Sequence, residues 1–469
     1  MGLRALALII LLFTAPSAAP AADTAPWTGF NDISSVAGAV PFDTAAQAAA
    51  DAGATSTRVV VDWSWLEAVP GRYTWGVLDG AYWSNVDRGI RPLIGITGAP
   101  RWAWARSARC PAARHCAFPP GRAHHGDYRE LLRRLTRRYP QAVAIEVGNE
   151  PNLRWAWAGG LSPARYTKLL IVAHQAIKSV NPAMPVLSGG LAPVLGDVRT
   201  PREIGLRRYL EAMYAHGAKG HMDGIAIHPY PGSIDFDKSF AALSIVKDVR
   251  SANGDSVPLW ITEFGLTTSR FSADDQATAL AALATALRSD PEIEGVYAHT
   301  LYDDPSNPIP DERGYGFMSR DQTPKPAYCA MARASGLTPG CAAPAPSATR
   351  AARWEAQVLL QAAADAARRV RLATGTYDGL TAAALHEQDA RISRNAAVGA
   401  LLPGPTADPS RIAVYPVAPD GLVLCNTSQG DRSYCIGTRW RKRWAYTSSP
   451  GRLFVTAGAL LQGTSTGWR

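Results

Sequence analysis

Two apolar stretches of this sequence end in a glutamate: residues 145–152 read Ile-Glu-Val-Gly-Asn-Glu-Pro-Asn, and residues 259–265 read Leu-Trp-Ile-Thr-Glu-Phe-Gly. Each is a short apolar run followed by polar residues, which is the pattern of a buried strand with a polar end. Buried strands of this kind belong to parallel sheets that are covered by helices on their outer side. The surrounding sequence indicates how many such strands there are.

Eight apolar runs alternate with helical stretches between residues 27 and 337, and the clearest helices are predicted at Tyr128–Arg138 and Pro163–Val180. This alternation predicts parallel βαβ units, and eight units fit an α/β (β/α)8 TIM barrel. An open doubly wound sheet is the alternative, but no Gly-rich phosphate loop follows the first run. The eight strands are predicted near residues 30–36, 57–63, 92–98, 142–148, 185–190, 223–229, 257–262 and 294–301.

The strand ends predict a pair of carboxyl groups at the mouth of this barrel. Glu150 follows the fourth strand and Glu263 ends the seventh, and the C-terminal ends of barrel strands carry the catalytic groups. Glycoside cleavage needs such a pair, one carboxyl to protonate the leaving oxygen and another to attack or to activate water. A single strand-end glutamate is more often a salt-bridge partner. We expect a carboxyl separation of roughly 5–5.5 Å, the value of retaining enzymes.

The motifs at 149–151 (Asn-Glu-Pro) and 262–265 (Thr-Glu-Phe-Gly) resemble those of the clan A glycoside hydrolases. The nearest families in style are the cellulase-like family 5 and the xylosidase-like family 39, over roughly residues 27–337. The resemblance implies a retaining β-glycosidase with Glu150 as acid/base and Glu263 as nucleophile. It implies an oligo- or polysaccharide substrate and no metal or cofactor.

The same resemblance implies supporting roles for residues on neighbouring strands. Arg58 is expected to contact the nucleophile, and Asn149 to hold the 2-hydroxyl of the sugar. In Ile-His-Pro-Tyr at 227–230, His228 and Tyr230 match the strand-six His-x-Tyr, whose tyrosine is expected to hydrogen-bond the nucleophile. The alternatives are a purely structural ion pair for Arg58 and a core histidine for His228.

Strand eight departs from the family pattern, which in many members places a tryptophan platform at its end. Residues 296–304 contain no tryptophan, so His299 or Tyr302 is expected to substitute. Tryptophan stacks well on sugar rings, although core packing accounts for most of the 14 in this chain. At least two of six tryptophans near strand ends are expected to line the cleft: Trp63, Trp65, Trp102, Trp104, Trp155 and Trp157.

The N-terminus reads as an export signal, residues 1–21. Arg4 precedes the apolar run Ala5–Phe13, and small residues follow, with cleavage expected near Ala21. A membrane anchor is the alternative, but this run is well below the ~20 apolar residues of a spanning helix. The protein is therefore expected to be secreted, with no membrane span after cleavage.

Cysteine usage agrees with export. The six cysteines form three close pairs, and local disulfides are the simplest pairing of the 15 possible. Metal binding is the alternative, but no CxxC or HxxxH spacing supports it. The pairs are Cys110 with Cys116, Cys329 with Cys341, and Cys425 with Cys435.

A small α+β domain is predicted after the barrel domain (22–337) and a linker (338–349). It covers residues 350–469, with a helix at Ala352–Thr374 and an antiparallel meander. Together with Thr-Tyr-Asp-Gly-Leu at 376–380 and the late cysteine pair, it loosely resembles the globular part of type IV pilin-like proteins. The predicted strands are Ile412–Val417, Gly421–Asn426, Tyr434–Thr438 and Leu453–Thr456.

Most of the excess positive charge lies in this C-terminal part. Residues 350–469 hold 15 Lys and Arg against 8 Asp and Glu, which is +7 of the formal net charge of +9. Residues 439–444 read Arg-Trp-Arg-Lys-Arg-Trp, a patch able to contact a cell wall or another acidic polymer. A solvated edge strand with protective charges is the simpler interpretation. Such a patch could also bind nucleic acid, but no other feature of the sequence indicates a nucleic-acid partner, and none is expected.

Three other functions are compatible with parts of the sequence. A catalytically inactive, sugar-binding barrel would keep the fold without turnover. A surface adhesion protein would act through residues 338–469. A metal-dependent hydrolase is weaker, because no ligand set is apparent. The sugar, the choice between endo and exo action, and the oligomeric state are not encoded in any motif.

Overall fold

The computed structural model of the protein describes residues 25–32, 37–106, 108, 117–377, 380–389, 392, 413–417, 421–427, 432–439 and 445–450. Within these ranges the chain forms a barrel of eight parallel strands, then a long helix and a four-stranded antiparallel sheet. The predicted (β/α)8 TIM barrel followed by an α+β region is therefore confirmed.

The barrel strands pair in the order β5-β4-β3-β2-β1-β8-β7-β6, all parallel. Bridges between Leu187 and Gly224 and between Leu191 and Ile227 join β5 to β6 and complete the ring. Every predicted run overlaps a strand, and the ends differ by up to five residues. The strands are β1 (Trp27–Asn31), β2 (Ser56–Asp62), β3 (Arg91–Thr97), β4 (Ala144–Asn149), β5 (Val186–Gly190), β6 (Ile225–Ile227), β7 (Leu259–Phe264) and β8 (Ile293–Ala298).

Helices follow the strands around the outside of the barrel. Both helices predicted from periodicity are present, as α4 and α5. The first turn of α5 is fixed by sequence, because the Ser162 hydroxyl accepts a hydrogen bond from the Arg165 N–H and Pro163 needs no partner there. The helices are α1 (Phe42–Asp51), α2 (Trp63–Leu66), α3 (Gly76–Val86), α4 (His125–Arg138), α5 (Pro163–Lys178), α6 (Leu206–Ala215), α7 (Asp237–Ala252), α8 (Ala273–Arg288) and α9 (Pro326–Ala334).

The interior of the barrel is apolar at one end and ionic at the other. The Trp260 and Tyr297 rings stack in a cluster that includes Ala144, the first residue of β4. Residues two apart on a strand face the same side, so Glu146 also points inward, one layer closer to the C-terminal end. There it meets the buried Arg58. The ionic layer therefore lies directly beneath the barrel mouth.

The C-terminal region begins with α10 (Ala348–Thr374), which starts four residues earlier than predicted because Ser347 caps it. It ends at Gly375, whose φ of 80° is left-handed. The strand predicted at Leu453–Thr456 lies outside the described residues, and the pilin resemblance and domain limits remain predictions. After α10 come α11 (Ala382–Gln388) and the sheet β12-β11-β10-β9, with β9 (Ala413–Val417), β10 (Gly421–Thr427), β11 (Arg432–Arg439) and β12 (Ala445–Pro450).

The predicted disulfides lie in three parts of the chain. Cys329 on α9 is bonded to Cys341, which fastens the end of the barrel to the segment before α10. Cys425 is disulfide-bonded and lies opposite Cys435 in the pairing of β10 with β11. Cys110 and Cys116 lie outside the described residues.

Helix α10 is attached to the barrel by a stacked ring pair and a buried ionic network. The Trp354 ring stacks on Phe236 at 5.4 Å. Three turns further along, Asp365 lies 2.6 Å from Lys247 Nζ on α7. The same ammonium contacts Asp290 at 2.6 Å and Glu292 at 3.3 Å, both of which precede or begin β8. A fully buried cation is thus balanced by three carboxylates.

This acidic trio is also the group of described residues whose spacing would suit a metal ion. The Lys247 ammonium lies among the three carboxylates and supplies positive charge there. Burial alone would lower the pKa of Lys247, but the Asp290 and Asp365 carboxylates outweigh burial and raise it. The lysine therefore stays charged. Among the described residues, no helix is long and apolar enough to cross a membrane.

We predict that Lys247→Met lowers the free energy of unfolding by about 3 kcal/mol or more, because it removes the buried partner of Asp290 and leaves Asp365 and Glu292 with only one side of their ion-pair network. The matched control is Lys178→Met, which breaks a partly exposed pair with Asp223 and should cost about 1 kcal/mol or less. Urea denaturation of both variants measures the difference. Equal losses in the two variants would show that the network does not hold α10.

Candidate active site

The two predicted glutamates meet at the mouth of the barrel. Glu263 lies on β7 and Glu150 directly follows β4, with 9% and 8% of their surfaces exposed. His228, just beyond β6, lies between them. Its Nδ1 is 3.0 Å from Glu150 Oε1 and 3.5 Å from Glu263 Oε2. A single ring nitrogen therefore contacts both carboxylates.

The backbone holds Glu150 in an unusual conformation. Its φ is +38°, in the left-handed region that non-glycine residues rarely adopt, at a cost of about 1–3 kcal/mol. The Glu150 N–H donates to Gly190 O at 2.9 Å, which anchors this turn to the end of β5. Gly190 itself has no room for a side chain, because a Cβ there would lie 2.0 Å from His228 Nε2. Three strand ends thus pack tightly around the site.

Arg58 on β2 is the centre of the hydrogen-bond network below the carboxylates. Its Nε donates to Glu146 Oε2 at 2.6 Å, and its Nη1 donates to Glu263 Oε1 at 2.6 Å. Nη1 also donates to Asn31 Oδ1 at 3.1 Å, and Nη2 to Asn149 Oδ1 at 2.8 Å. The planar fork of the guanidinium suits this arrangement, since it presents several donors in fixed directions.

Glu263 is surrounded by donors that favour its ionised form. The Tyr230 hydroxyl donates to Oε2 at 2.6 Å, opposite the Arg58 contact on Oε1. Burial alone would raise the pKa of Glu263, but His228, Arg58 and His299 with the Tyr230 hydrogen bond hold it well below its usual range. Burial and the neighbouring carboxylate raise the pKa of Tyr230, so its hydroxyl stays a donor.

The protonation of His228 follows from its second nitrogen. Thr262 Oγ1 donates to Glu146 Oε1 at 2.9 Å, so it can only accept from His228 Nε2 at 3.1 Å. The neutral ring therefore carries its proton on Nε2 and presents Nδ1 to Glu150. Burial alone would lower the pKa of His228, but Glu263 and Glu150 outweigh burial and raise it.

At the end of β8, the structure places His299 in the site and Tyr302 outside it. His299 Nδ1 lies 3.9 Å from Glu263 Oε2 and 3.4 Å from Asn31 Nδ2. With Tyr230 and Tyr315 it forms an aromatic wall, with ring centroids 5.3–6.0 Å apart. The expectation for Tyr302 is wrong, because its side chain is fully buried in the apolar core and faces no sugar.

The tryptophans divide by exposure. The expectation that Trp63 binds substrate is wrong, because its ring is fully buried and its Nε1 donates to Glu67. Trp157 is also buried. Trp65 and Trp155 lie at the rim with 50% and 65% of their surfaces exposed, and these two rings are free to contact a ligand. The remaining pair, Trp102 and Trp104, are partly buried and donate to backbone carbonyls.

Sequence reasoning missed four residues of the site. Asn31 ends β1, and Thr262 immediately precedes Glu263, so the strand-end rule that selected the glutamates applies to both. Glu146 is a charged residue within an apolar strand, which is itself a signal of a buried ionic partner. Tyr315 comes from the loop after β8, and no local pattern in the sequence marks it.

We predict that Glu263→Gln lowers the pKa of His228 relative to the wild type, because it removes a carboxylate that stabilises the imidazolium. Long-range ¹H–¹⁵N spectra of the ring nitrogens across a pH series measure the change. Glu130→Gln, a surface substitution in an ion pair with Arg134, is the control and should leave the titration unchanged. An unchanged His228 titration in Glu263→Gln would contradict the electrostatic coupling.

Comparison with known proteins bears on this part of the barrel. Residues 149–312, which include both glutamates, match the family model described as glycosyl hydrolase catalytic core. A search of curated proteins finds no match to the chain.

Solved structures with a similar fold are glycoside hydrolases. A family 39 enzyme from Bacteroides cellulosilyticus WH2 has a TM-score of 0.54 at 17% identity, covering 88% of this chain and 71% of its own. A monomeric β-xylosidase from Caulobacter crescentus CB15 has 0.52 at 19%, covering 67% and 70%. A GH5_18 enzyme from Streptomyces cattleya, in complex with Manβ1-4GlcNAc, has 0.52 at 17%, covering 74% and 96%. The likeness establishes the barrel fold, and residues 149–312 in addition match a glycosyl hydrolase catalytic core.

Proposed function

We propose that the protein is a retaining glycoside hydrolase that cleaves a β-linked oligo- or polysaccharide. The observation that carries the proposal is the contact of both carboxylates with His228 Nδ1, at 3.0 Å and 3.5 Å. Those contacts limit the separation of the two carboxylate oxygens to less than about 6.5 Å, their sum. Retaining pairs lie ~5–5.5 Å apart and inverting pairs ~6.5–9.5 Å.

In the first step Glu263 attacks the anomeric carbon and Glu150 protonates the leaving oxygen. Glu263 is suited to attack because Arg58 and Tyr230 keep it ionised. Asn149 Oδ1 accepts a hydrogen bond from Arg58 Nη2, which leaves the amide nitrogen of Asn149 as the donor for a sugar hydroxyl. A hydrogen bond that strengthens as the oxocarbenium-like transition state forms lowers the barrier.

In the second step water displaces the sugar from Glu263 and Glu150 accepts its proton. Once Glu263 is esterified, it carries no negative charge, and the proton affinity of the neighbouring His228 falls. His228 and Glu150 share one proton through Nδ1, so the ring is placed to take part in both transfers. Exchange of this proton with His228 lets Glu150 act as an acid in the first step and as a base in the second.

Several observations support a β-linked substrate. The fold neighbours include a β-xylosidase and an enzyme bound to a β1-4-linked disaccharide. The aromatic wall of His299, Tyr230 and Tyr315 takes the place of the strand-eight tryptophan found in many clan A enzymes. A wall with ring nitrogens offers hydrogen bonds where an indole offers mainly an apolar face. We propose that this substitution sets the sugar preference.

We also propose that the protein acts after export. Support comes from the signal-like residues 1–21 and from the Cys329–Cys341 disulfide, a bond that persists in oxidising compartments. A polymeric substrate outside the cell is consistent with this location.

Azide distinguishes the two proposed roles in one assay. We predict that Glu263→Ala lowers kcat on aryl β-glycosides by about 10³-fold or more, because the nucleophile is lost. Added azide should restore turnover and yield the α-glycosyl azide, since it attacks from the vacated face. For Glu150→Ala, azide should yield the β-glycosyl azide, because it attacks the glycosyl-enzyme. Product anomers are read by ¹H NMR.

Glu211→Ala, on the exposed side of α6, is the matched control and should keep wild-type turnover. A wild type that hydrolyses no aryl β-glycoside, or that releases the inverted sugar, would refute the proposed mechanism. Binding without turnover would instead favour the inactive, sugar-binding barrel.

The pH profile of kcat/KM tests the role of His228. Its acid limb should lie below ~4.3 because the pKa of Glu263 is lowered, and its alkaline limb above ~6.5 because the pKa of His228 is raised. We predict that His228→Gln moves both limbs inward. Without His228, Glu263 loses a positive neighbour, so the pKa that sets the acid limb rises. The proton that His228 and Glu150 share is then bound by Glu150 alone, so the alkaline limb moves to lower pH. Exposed His216→Gln should leave both limbs in place, and a profile unchanged by His228→Gln would rule out the shared proton.

A further inference from the structure

A cleft lined by cationic side chains runs beside the barrel mouth. Its walls come from the segment before α4, the loop between β4 and α5, the first turns of α5 and the loop between β5 and α6. Five exposed cationic residues line it, and they are called the basic cleft below: Arg122, Arg154, Arg165, Lys168 and Arg202.

The charges of the basic cleft are not neutralised within the described part of the chain. None of its five side chains forms an ion pair with a described carboxylate, and Arg165 donates to the backbone carbonyls of Gly159 and Gly160. Glu203 is the one carboxylate residue in the lining. Five cations against one anion give a strongly positive surface.

An exposed aromatic ring lies among these charges. Trp155 lines the cleft with 65% of its surface exposed, the largest exposed fraction among the large apolar side chains of the described residues. An exposed indole next to cations presents a flat apolar face on which a sugar ring can stack. A flat ring flanked by positive charge suits a chain of sugar rings that carry anionic groups, since the ring stacks and the charges pair.

The basic cleft is close to the proposed acid/base. Arg154 is four residues beyond Glu150, so their Cα atoms are at most about 14 Å apart even if the chain were extended. The chain is not extended, because the Leu153 N–H donates to Glu150 O in a tight turn. An oligosaccharide bound across the mouth therefore reaches the cleft.

We propose that the basic cleft binds the continuation of the substrate, and that the substrate is an anionic polysaccharide whose carboxylate or sulfate groups pair with Arg154 and Arg202. This inference rests on the proposed glycosidase function and names its substrate class. The backbone contact between Arg154 N and Arg202 O, at 2.8 Å, keeps the two loops together. Their side chains thus form one binding surface.

Binding is tested apart from turnover with the Glu263→Gln variant, which should not digest the polymer. Affinity electrophoresis compares carboxymethyl cellulose and alginate, which are anionic, and dextran sulfate, which is sulfated, with neutral hydroxyethyl cellulose. We expect retardation by at least one anionic polymer and none by the neutral one. The retardation should weaken as salt is raised, because exposed charges are screened.

Two charge variants locate the contact. Arg154→Gln with Arg202→Gln should weaken retardation by about tenfold at low ionic strength. Arg137→Gln with Lys219→Gln removes the same net charge at the opposite end of the barrel and should leave retardation unchanged. Trp155→Ala should weaken binding at low and high salt alike, because stacking is not screened. Arg137→Gln with Lys219→Gln, made in the wild type, should also leave aryl β-glycoside turnover unchanged.

The outcomes separate the two proposals. Wild-type turnover of aryl β-glycosides without retardation by any anionic polymer overturns the basic cleft and leaves the glycosidase standing. An equal loss of retardation in the cleft variant and in the control charge variant would also overturn the basic cleft as the binding surface. Retardation by double-stranded DNA that is equal to that by the glycans, and insensitive to Trp155→Ala, would mean a general polyanion surface and not a glycan site. Retardation without turnover would refute the glycosidase, and the basic cleft would then be the glycan-binding site of an inactive barrel and not a substrate site.

Discussion

The site depends on one buried cation. Arg58 donates hydrogen bonds to acceptors on β1, β4 and β7. Because the side chain is only 1% exposed, its charge is stable there only while those acceptors stay in place. Loss of Arg58 itself would leave the Glu146 and Glu263 carboxylates buried without the cation that they share, which costs several kcal/mol. The barrel register and the position of Glu263 are therefore coupled. A shift of one strand would turn its acceptor away from the guanidinium and destabilise the interior.

The two glutamates at the barrel mouth differ in the contacts that surround them. Glu263 accepts from Arg58 and Tyr230, which together hold both of its oxygens and favour the anion. Glu150 is placed against a titratable ring, at 3.0 Å from His228 Nδ1. One carboxylate is thus fixed in charge and position, whereas the other has a partner with which to exchange a proton. Environment and not residue type therefore distinguishes the proposed nucleophile, Glu263, from the proposed acid/base, Glu150.

The position of the carboxylate pair was predictable, because the C-terminal ends of barrel strands carry the polar groups of the mouth. Parallel strands bring their C-terminal ends to one mouth, so Glu150 and Glu263 could be placed together from sequence. Arg58 and His228 were expected beside them from the family resemblance. Side chains supplied by loops could not be placed in this way. Tyr315 reaches the aromatic wall from the loop after β8, which no periodicity predicts, and Trp63 was expected at the cleft although its ring packs inward. Exposure depends on tertiary packing, which a strand-end motif does not encode.

The two ends of the barrel hold different features: one attaches α10, and the other holds the carboxylate pair. The network around Lys247 lies toward the N-terminal end of β8 and along α7, where it joins α10 to the barrel with buried charge. The carboxylates, the exposed rims with Trp65 and Trp155, and the basic cleft lie at the opposite end of the strands. Helix α10 packs along α7 and not over the mouth. A long polymer could therefore cross the barrel mouth while α10 stays docked, as the proposed binding of a glycan along the basic cleft requires.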